Sequence, residues 1–148
     1  MIADVAEPFA TRLTFSEQLV AELGSARSRL RAAGQRSESA VIINAGGEVD
    51  AFNHDSWRQL IRETASAAEP PGPFVVDVND FEFMGCCAFE VLAAEAERCR
   101  SRGVTLRLVS RKPAMARFAA ACGFADILPV HPTAVSALSA SAQRRERR

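Results

Sequence analysis

Apolar residues between positions 14 and 33 recur at the spacing of a single helix face. Five of them follow one another at intervals of four, four, three and four residues: Phe15, Leu19, Leu23, Ala26 and Leu30. Thr14 and Glu17 have the spacing of a capping box at the start of such a helix, and Gly34 supplies its end. We therefore predict an amphipathic helix over residues 14 to 33, packed on its own domain or forming a surface for a second subunit.

From residue 40 onwards, short apolar runs alternate with longer segments of helical periodicity. The runs are rich in β-branched residues and predict buried strands over 40–43, 74–78 and 104–109. Residues 127–130 predict a short edge strand, where a proline is tolerated. The segments between them predict helices over 53–68, 86–102 and 113–121, and a final helical turn or two over 133–140. Strands that alternate with helices predict the α/β class, with a mostly parallel sheet flanked by helices.

Charge and composition narrow the classes of function. Lysine plus arginine equal aspartate plus glutamate at 18 each, so no overall field attracts nucleic acid or an anionic membrane. The first residues do not resemble a signal peptide, and no stretch approaches the roughly 20 apolar residues that a membrane-crossing helix needs. We expect one soluble, cytoplasmic domain with neither nucleic acid nor membrane as a partner.

The cysteines and histidines are the candidate metal ligands and nucleophiles. The four cysteines lack the paired spacing of a zinc site: Cys86, Cys87, Cys99 and Cys122. The two histidines, His54 and His131, lie far from them in sequence, so we expect no metal and no cofactor. A thiol-dependent enzyme would need a base beside Cys86, and the strand order places neither histidine there. We therefore expect a binding protein and not an enzyme.

Four short motifs, in the order of the predicted elements, resemble those of STAS domains. Gly47-Glu48-Val49-Asp50 resembles the G-E-L-D turn of that family, and the segment 77–84, DVNDFEFM, resembles the approach to its switch site. Gly103 and the stretch Cys122-Gly123-Phe124 each precede a predicted strand, where the family also places a glycine. The resemblance covers roughly residues 40 to 140 and identifies the chain as similar to bacterial anti-sigma factor antagonists.

The resemblance also implies how the chain is divided. We expect an N-terminal extension with the amphipathic helix over residues 1–38, a STAS domain over 39–141 and a basic, disordered tail over 142–148. STAS domains commonly begin with a strand paired to the one that bears the G-E-L-D turn, whereas the pattern here predicts a helix. Either residues 9–15 supply a short strand, or the strand is absent and the sheet edge is covered differently, for example by a partner chain.

Members of this family bind anti-sigma factors, often serine kinases related to histidine-kinase ATPase domains, and so free a sigma factor for transcription. Phosphorylation of the first serine of Asp-Ser-Ser-Gly usually switches binding off, by adding about −1.5 to −2 charge at a helix start. The matching stretch here is Gly85-Cys86-Cys87-Ala88, so Cys86 replaces the phosphoacceptor serine. We expect constitutive binding or another form of control.

The resemblance places the partner-binding surface on the turn and loop that flank this stretch: Asp50, Phe83, Met84, Gly85, Cys86 and Cys87. A thiol at a helix start has its thiolate stabilised by backbone N–H groups. One hypothesis is therefore a redox switch in which Cys86 or Cys87 attacks and Cys122 resolves. The alternative is that these cysteines are buried and inert, as we expect for Cys99.

A second hypothesis keeps the fold and changes the role. The chain would be a divergent STAS scaffold that associates with itself or with other STAS proteins, as a homodimer formed through the helix predicted over 14–33. Loss of the phosphoacceptor serine fits this role as well. The sequence leaves the identity of the partner and the oligomeric state open.

Overall fold

A six-stranded sheet organises the residues that the computed structural model describes, 11–24 and 29–138. Its strands lie in sequence order: β1 (Thr11–Arg12), β2 (Leu30–Ser37), β3 (Ala40–Val49), β4 (Phe74–Met84), β5 (Leu106–Val109) and β6 (Val130–His131). The pairs β1–β2 and β2–β3 are antiparallel and the other three are parallel. The predicted α/β class with a mixed, mostly parallel sheet is confirmed.

Helices connect the parallel strands, because a parallel pair needs a crossover. They are α2 (His54–Ala67), α3 (Cys86–Ser101) and α4 (Pro113–Ala121), and each agrees with its predicted bounds to within one residue at each end. Phe74 and Val76 face the larger core on the side of α2 and α3. Val75 faces the other side, where it packs with Ala137 of the helical residues 134–138.

The helix predicted over residues 14 to 33 is wrong in its second half. The observed helix, α1 (Glu17–Leu23), is capped by Ser16, whose hydroxyl accepts a hydrogen bond from the Leu19 amide at 3.2 Å, and not by Thr14. Leu30 instead opens β2, and Gly34 pairs with Ile43 in the middle of that strand. Ala26, the remaining member of the predicted face, lies outside the described residues.

Long-range pairing explains the difference. β2 alternates between buried and exposed positions at its start, with Leu30 buried and Arg31 exposed, so Leu30 fits a strand pattern as well as a helical one. All eight residues of β2 pair with β3, and this ladder satisfies backbone groups that β3 would otherwise expose at its edge. Local periodicity carries no information about that edge.

The strand expected before the G-E-L-D turn is therefore present, at a position that neither alternative predicted. β1 does fall within residues 9–15, but it pairs with β2 and not with β3. The boundary predicted between residues 38 and 39 stays a prediction, although strands on both sides of it share one sheet. Residues 9–10 of that segment, the end of the last predicted helix after 138 and the tail 142–148 lie outside the described residues.

The predicted strand bounds need correction as well. β3 and β4 run past their predicted ends at 43 and 78, to Val49 and Met84, whereas β5 and β6 are shorter than predicted. Gly46 and Gly47 lie beyond the predicted end of β3, yet both residues pair with β4 beside two register irregularities. A Cβ on Gly46 would lie 2.7 Å from the Cβ of Asp80, so glycine here permits a close approach of two strands instead of ending one.

Substitution of Gly47 tests whether β3 must lie this close to its neighbouring strands. Gly47 has φ +99, and an added Cβ would overlap the carbonyl oxygen of Arg29. Gly123 has φ +83 with nothing within 4 Å of the added atom. We expect Gly123→Ala to lower the free energy of unfolding by the roughly 1–2 kcal/mol that left-handed backbone costs, and Gly47→Ala to lower it by clearly more. Urea unfolding followed by Trp57 fluorescence measures both, and equal losses would contradict the steric explanation.

Candidate functional site

The carboxyl ends of β3 and β4 meet at one edge of the sheet. Glu48 pairs with Phe83, and Val49 pairs with Met84. Asp50 follows the first strand directly, and Gly85 follows the second. The structure therefore brings together the turn and the loop that the sequence analysis assigned to a partner-binding surface.

Hydrogen bonds hold the turn after β3 in one conformation. The Oδ1 atom of Asp50 accepts from the amides of Phe52 at 2.9 Å and Asn53 at 3.3 Å. In return, Asn53 accepts from the Asp50 amide at 2.8 Å, and its Nδ2 donates to the Glu48 carbonyl at 2.7 Å. One oxygen of the Asp50 carboxylate is thus used to shape the turn itself.

Phe52, at the tip of this turn, was missed by the sequence analysis. Its side chain is 98% exposed, although it is the kind of residue that sequence patterns assign to a core. The available signal was its place between strand and helix, outside the stripe of α2 that contains Trp57 and Leu60. Periodicity indicates which residues face the core, and Phe52 belongs to neither periodic segment.

The loop after β4 leads directly into α3. Gly85 is the N-cap in extended conformation, Cys86 is the first helical residue and is exposed, and Cys87 and Met84 are half-buried. The Trp57 indole donates to the Ala88 carbonyl at 3.1 Å and packs edge-on against Phe81 with ring centroids 5.4 Å apart. The start of α3 is thereby fixed to α2 and to β4.

The thiols of Cys86 and Cys122 lie near enough for Cys86 to act on the pKa of Cys122. Both are exposed, and Cys122 is the C-cap of α4. The pKa of the Cys122 thiol is raised, first by desolvation and then by the charge and hydrogen bond of Cys86. Cys99 is buried, as predicted, and desolvation raises its pKa to about 11. Of the two predicted attacking thiols, the structure thus places Cys86 beside the predicted resolving residue.

A shallow apolar groove of about 180 Å³ lies beside the start of α3. It is lined by Phe81, Glu82, Met84, Phe89, Lys112, Ala114, Met115 and Phe118. The Phe89 and Phe118 rings are in contact, with centroids 4.8 Å apart, and Phe118 is one helical turn from Cys122. The two exposed thiols therefore border a surface that is partly apolar.

Acidic groups surround the Asp50 turn. Glu48 forms an ion pair with Arg29 and raises the pKa of that guanidinium by a hydrogen bond and by its charge, with smaller contributions from Asp50 and Glu82. All three carboxylates therefore lie within electrostatic range of Arg29. Among residues 11–24 and 29–138, no group of His, Cys, Asp and Glu side chains that would hold a metal ion is found.

Comparison with protein families identifies the class. The model of the STAS domain matches residues 32–137, which is more than half of the chain, and the chain therefore belongs to the STAS family. In the described part of the chain, no helix is long and apolar enough to cross a membrane.

Individual relatives narrow this class to regulators of sigma factors. The anti-sigma-F factor antagonist RsfA of Mycobacterium tuberculosis is 57% identical over 112 residues, 76% of this chain and 88% of the relative. The protein Rv2638 of the same species, an anti-anti-sigma factor by name, is 50% identical over 132 residues, 89% of each chain.

Solved structures agree with this placement. An anti-sigma factor antagonist from Mycobacterium paratuberculosis has a TM-score of 0.68 at 25% identity and covers 80% of this chain and 98% of its own. The anti-sigma factor antagonist SpoIIAA in its unphosphorylated form has a TM-score of 0.57 at 14% identity, with coverage of 72% and 91%. The second likeness shows the fold alone.

Asp77, at the start of the segment 77–84, is a buried carboxyl group whose effect on stability depends on pH. It is 5% exposed, and burial raises the pKa of its carboxyl group. The folded chain therefore binds this proton more tightly than the unfolded chain, and the associated stability is lost as the pH rises through the folded pKa. We expect Asp77→Asn to unfold at higher urea concentration than the wild type at about pH 7, and to lose this advantage near about pH 3.

The exposed carboxylate of Asp126 gives the control for this comparison. Asp126→Asn should match the wild type at both pH values. A stability gain of Asp77→Asn that is equal at both pH values would show that burial of the charge is not its cause.

Proposed function

We propose that the protein is an anti-sigma factor antagonist, and that it meets an anti-sigma factor with the surface formed by the Asp50 turn and the start of α3. This contact surface comprises Asp50, Phe83, Met84, Gly85, Cys86 and Cys87. Support comes from the family, from the names of the relatives and from the register that joins these residues at one sheet edge. The expected partner is an anti-sigma factor of the serine-kinase class related to histidine-kinase ATPases.

Control of this binding is proposed to be redox control at Cys86. By the resemblance to STAS domains, Cys86 takes the place of the phosphoacceptor serine, and it is exposed at the start of α3. A serine kinase cannot use it as an acceptor. The observation that supports redox control is that two free, exposed thiols, Cys86 and Cys122, lie close to each other.

Hydrogen peroxide is the oxidant that we propose for this reaction. The Cys86 thiolate attacks one peroxide oxygen and the O–O bond breaks, which gives a sulfenic acid on Cys86 and a first molecule of water. The Cys122 thiolate then attacks the Cys86 sulfur, the S–O bond breaks and a second water leaves. Two thiols thus lose two electrons and two protons, and the peroxide is reduced to two waters.

The disulfide is expected to weaken binding because it changes the contact surface. A disulfide brings its sulfurs to about 2.05 Å with a strongly preferred dihedral angle. The start of α3 is held by Gly85 and by the Trp57 hydrogen bond to Ala88, so a new covalent link to Cys122 must alter how Cys86 is presented. The effect is equivalent to that of a phosphate at the same place: one local change alters a fitted surface.

The first experiment is affinity purification of the tagged protein from its native cells, in paired reducing and mildly oxidising buffers. We expect an anti-sigma factor to co-purify, with a higher yield in the reducing buffer. Recovery of only the protein itself or of other STAS proteins would contradict the antagonist function and favour a scaffold.

Cysteine variants test the redox step separately. After treatment with hydrogen peroxide, the wild type should lose the mass of two hydrogens and bind its partner more weakly. Cys86→Ser and Cys122→Ser should each bind equally before and after treatment, because neither can form the disulfide. Cys87→Ser is the matched control: it retains both partner thiols and should stay sensitive. Loss of sensitivity in Cys87→Ser alone would move the attacking role to Cys87.

Self-association through the N-terminal helix stays a prediction. α1 buries Leu19 within its own domain, and the Ser16 hydroxyl donates to Glu63 of α2 at 2.6 Å. Val20 remains 55% exposed and is the residue of α1 that a second copy would contact. Analytical ultracentrifugation of the wild type and of Val20→Glu tests this: a dimer that the charge dissociates would support it.

A further inference from the structure

The side chain of Phe52 is exposed to solvent. Three other large apolar side chains are described as exposed, and each keeps a larger part of its surface covered: Val20 at 55%, Val135 at 55% and Phe118 at 36% exposure. Phe52 is 98% exposed. Single exposed apolar residues are common on protein surfaces, so exposure alone does not assign a role to this ring.

The conformation of the turn is the second observation. Asp50 accepts the Phe52 amide at 2.9 Å, and Asn53 bonds back to Asp50 and to Glu48 at 2.8 and 2.7 Å. Asn53 is itself buried, so the base of the turn is anchored in the domain. An aromatic side chain on a fixed backbone loses little conformational freedom when it binds, which favours its use as an anchor.

The position of the turn is the third observation. The Trp57 hydrogen bond to Ala88 joins the first turn of α2 to the first turn of α3. Phe52 precedes the one helix and Cys86 begins the other. The ring therefore stands at the same sheet edge as the proposed contact surface, at a placement that the core fixes.

The charges around the ring indicate what surrounds its binding pocket. Four carboxylates lie around the turn: Glu48, Asp50, Asp55 and Glu82. Arg29 pairs with the first and Arg58 with the third, at 3.3 Å for the latter. Arg31 is a third guanidinium here, with its Nη1 atom 3.6 Å from the position of a Cβ on Gly47. Three guanidiniums against four carboxylates leave an excess of one negative charge in this region, although the whole chain is neutral. A basic partner surface would complement it.

We infer that Phe52 is the apolar anchor of the complex and inserts into an apolar pocket of the anti-sigma factor that is rimmed by lysine or arginine side chains. This inference rests on the proposed function and adds the chemistry of the partner's site. Asp50 has a positioning role in this arrangement, because its carboxylate holds the backbone on which the ring is carried.

The test measures binding to the anti-sigma-F factor of the same organism, the class of protein that the relative RsfA antagonises by name. Reduced wild type, Phe52→Ala, Phe52→Trp and Val135→Ala are titrated in parallel. Val135→Ala is the matched control, because it removes an exposed apolar side chain from the helix on the other face of the sheet. We expect Phe52→Ala to weaken binding by roughly tenfold to a hundredfold, and Phe52→Trp and Val135→Ala to bind within about threefold of the wild type.

The outcomes show separately whether the anchor role of Phe52 is wrong and whether the proposed antagonist function is wrong. If the wild type binds and Phe52→Ala binds equally well, the anchor is wrong and the antagonist function stands. If the wild type does not bind, the proposed function fails, and the anchor fails with it. If Phe52→Ala binds normally but turns a dimeric chain into a monomer, the ring contacts a second copy and the inference is overturned.

A photo-crosslinking side chain at position 52 tests the chemistry of the pocket. Crosslinked peptides of the anti-sigma-F factor should contain apolar residues flanked by lysine or arginine. Crosslinks confined to acidic or uncharged polar segments would overturn the assignment of a basic rim. Thermal unfolding of every variant confirms that the comparison is between folded proteins.

Discussion

The geometry of the candidate site depends on the buried side chain of Trp57. Its indole donates to the Ala88 carbonyl in the first turn of α3, and its ring packs edge-on against Phe81 of β4. A buried indole N–H needs a partner, because an unsatisfied donor costs about 1–3 kcal/mol. Here the partner lies in the very turn that begins with Cys86. One side chain therefore sets where α2, α3 and the end of β4 stand relative to one another.

The close contact of β3 with its neighbouring strands determines where the Asp50 turn leaves the sheet. Gly46 and Gly47 carry the strand past Asp80 and the Arg29 carbonyl without a side chain in the way. β3 therefore continues to Val49, and the Asp50 turn emerges level with the end of β4. Backbone packing within the sheet, rather than any contact between the two loops, brings the turn and the Cys86 loop to one surface.

A cysteine at a helix start offers redox chemistry that a serine at the same place would not. A thiolate becomes a useful switch when a second thiol is near, and the end of α4 supplies Cys122. The deep burial of Cys99 and its raised pKa show the contrast, because a cysteine in the core has neither exposure nor charge.

The sequence by itself determined the α/β class, the bounds of α2, α3 and α4, and the position of Cys86 at a helix start, because periodicity and end signals are local. Only the tertiary structure decided that Leu30 begins a strand, since the helical pattern of residues 14–33 competes with an edge of β3 that no local window contains. The meeting of Cys86 with Cys122 and the exposure of Phe52 were decided in the same way. Such features depend on which distant residues pack together, and local periodicity does not contain that information.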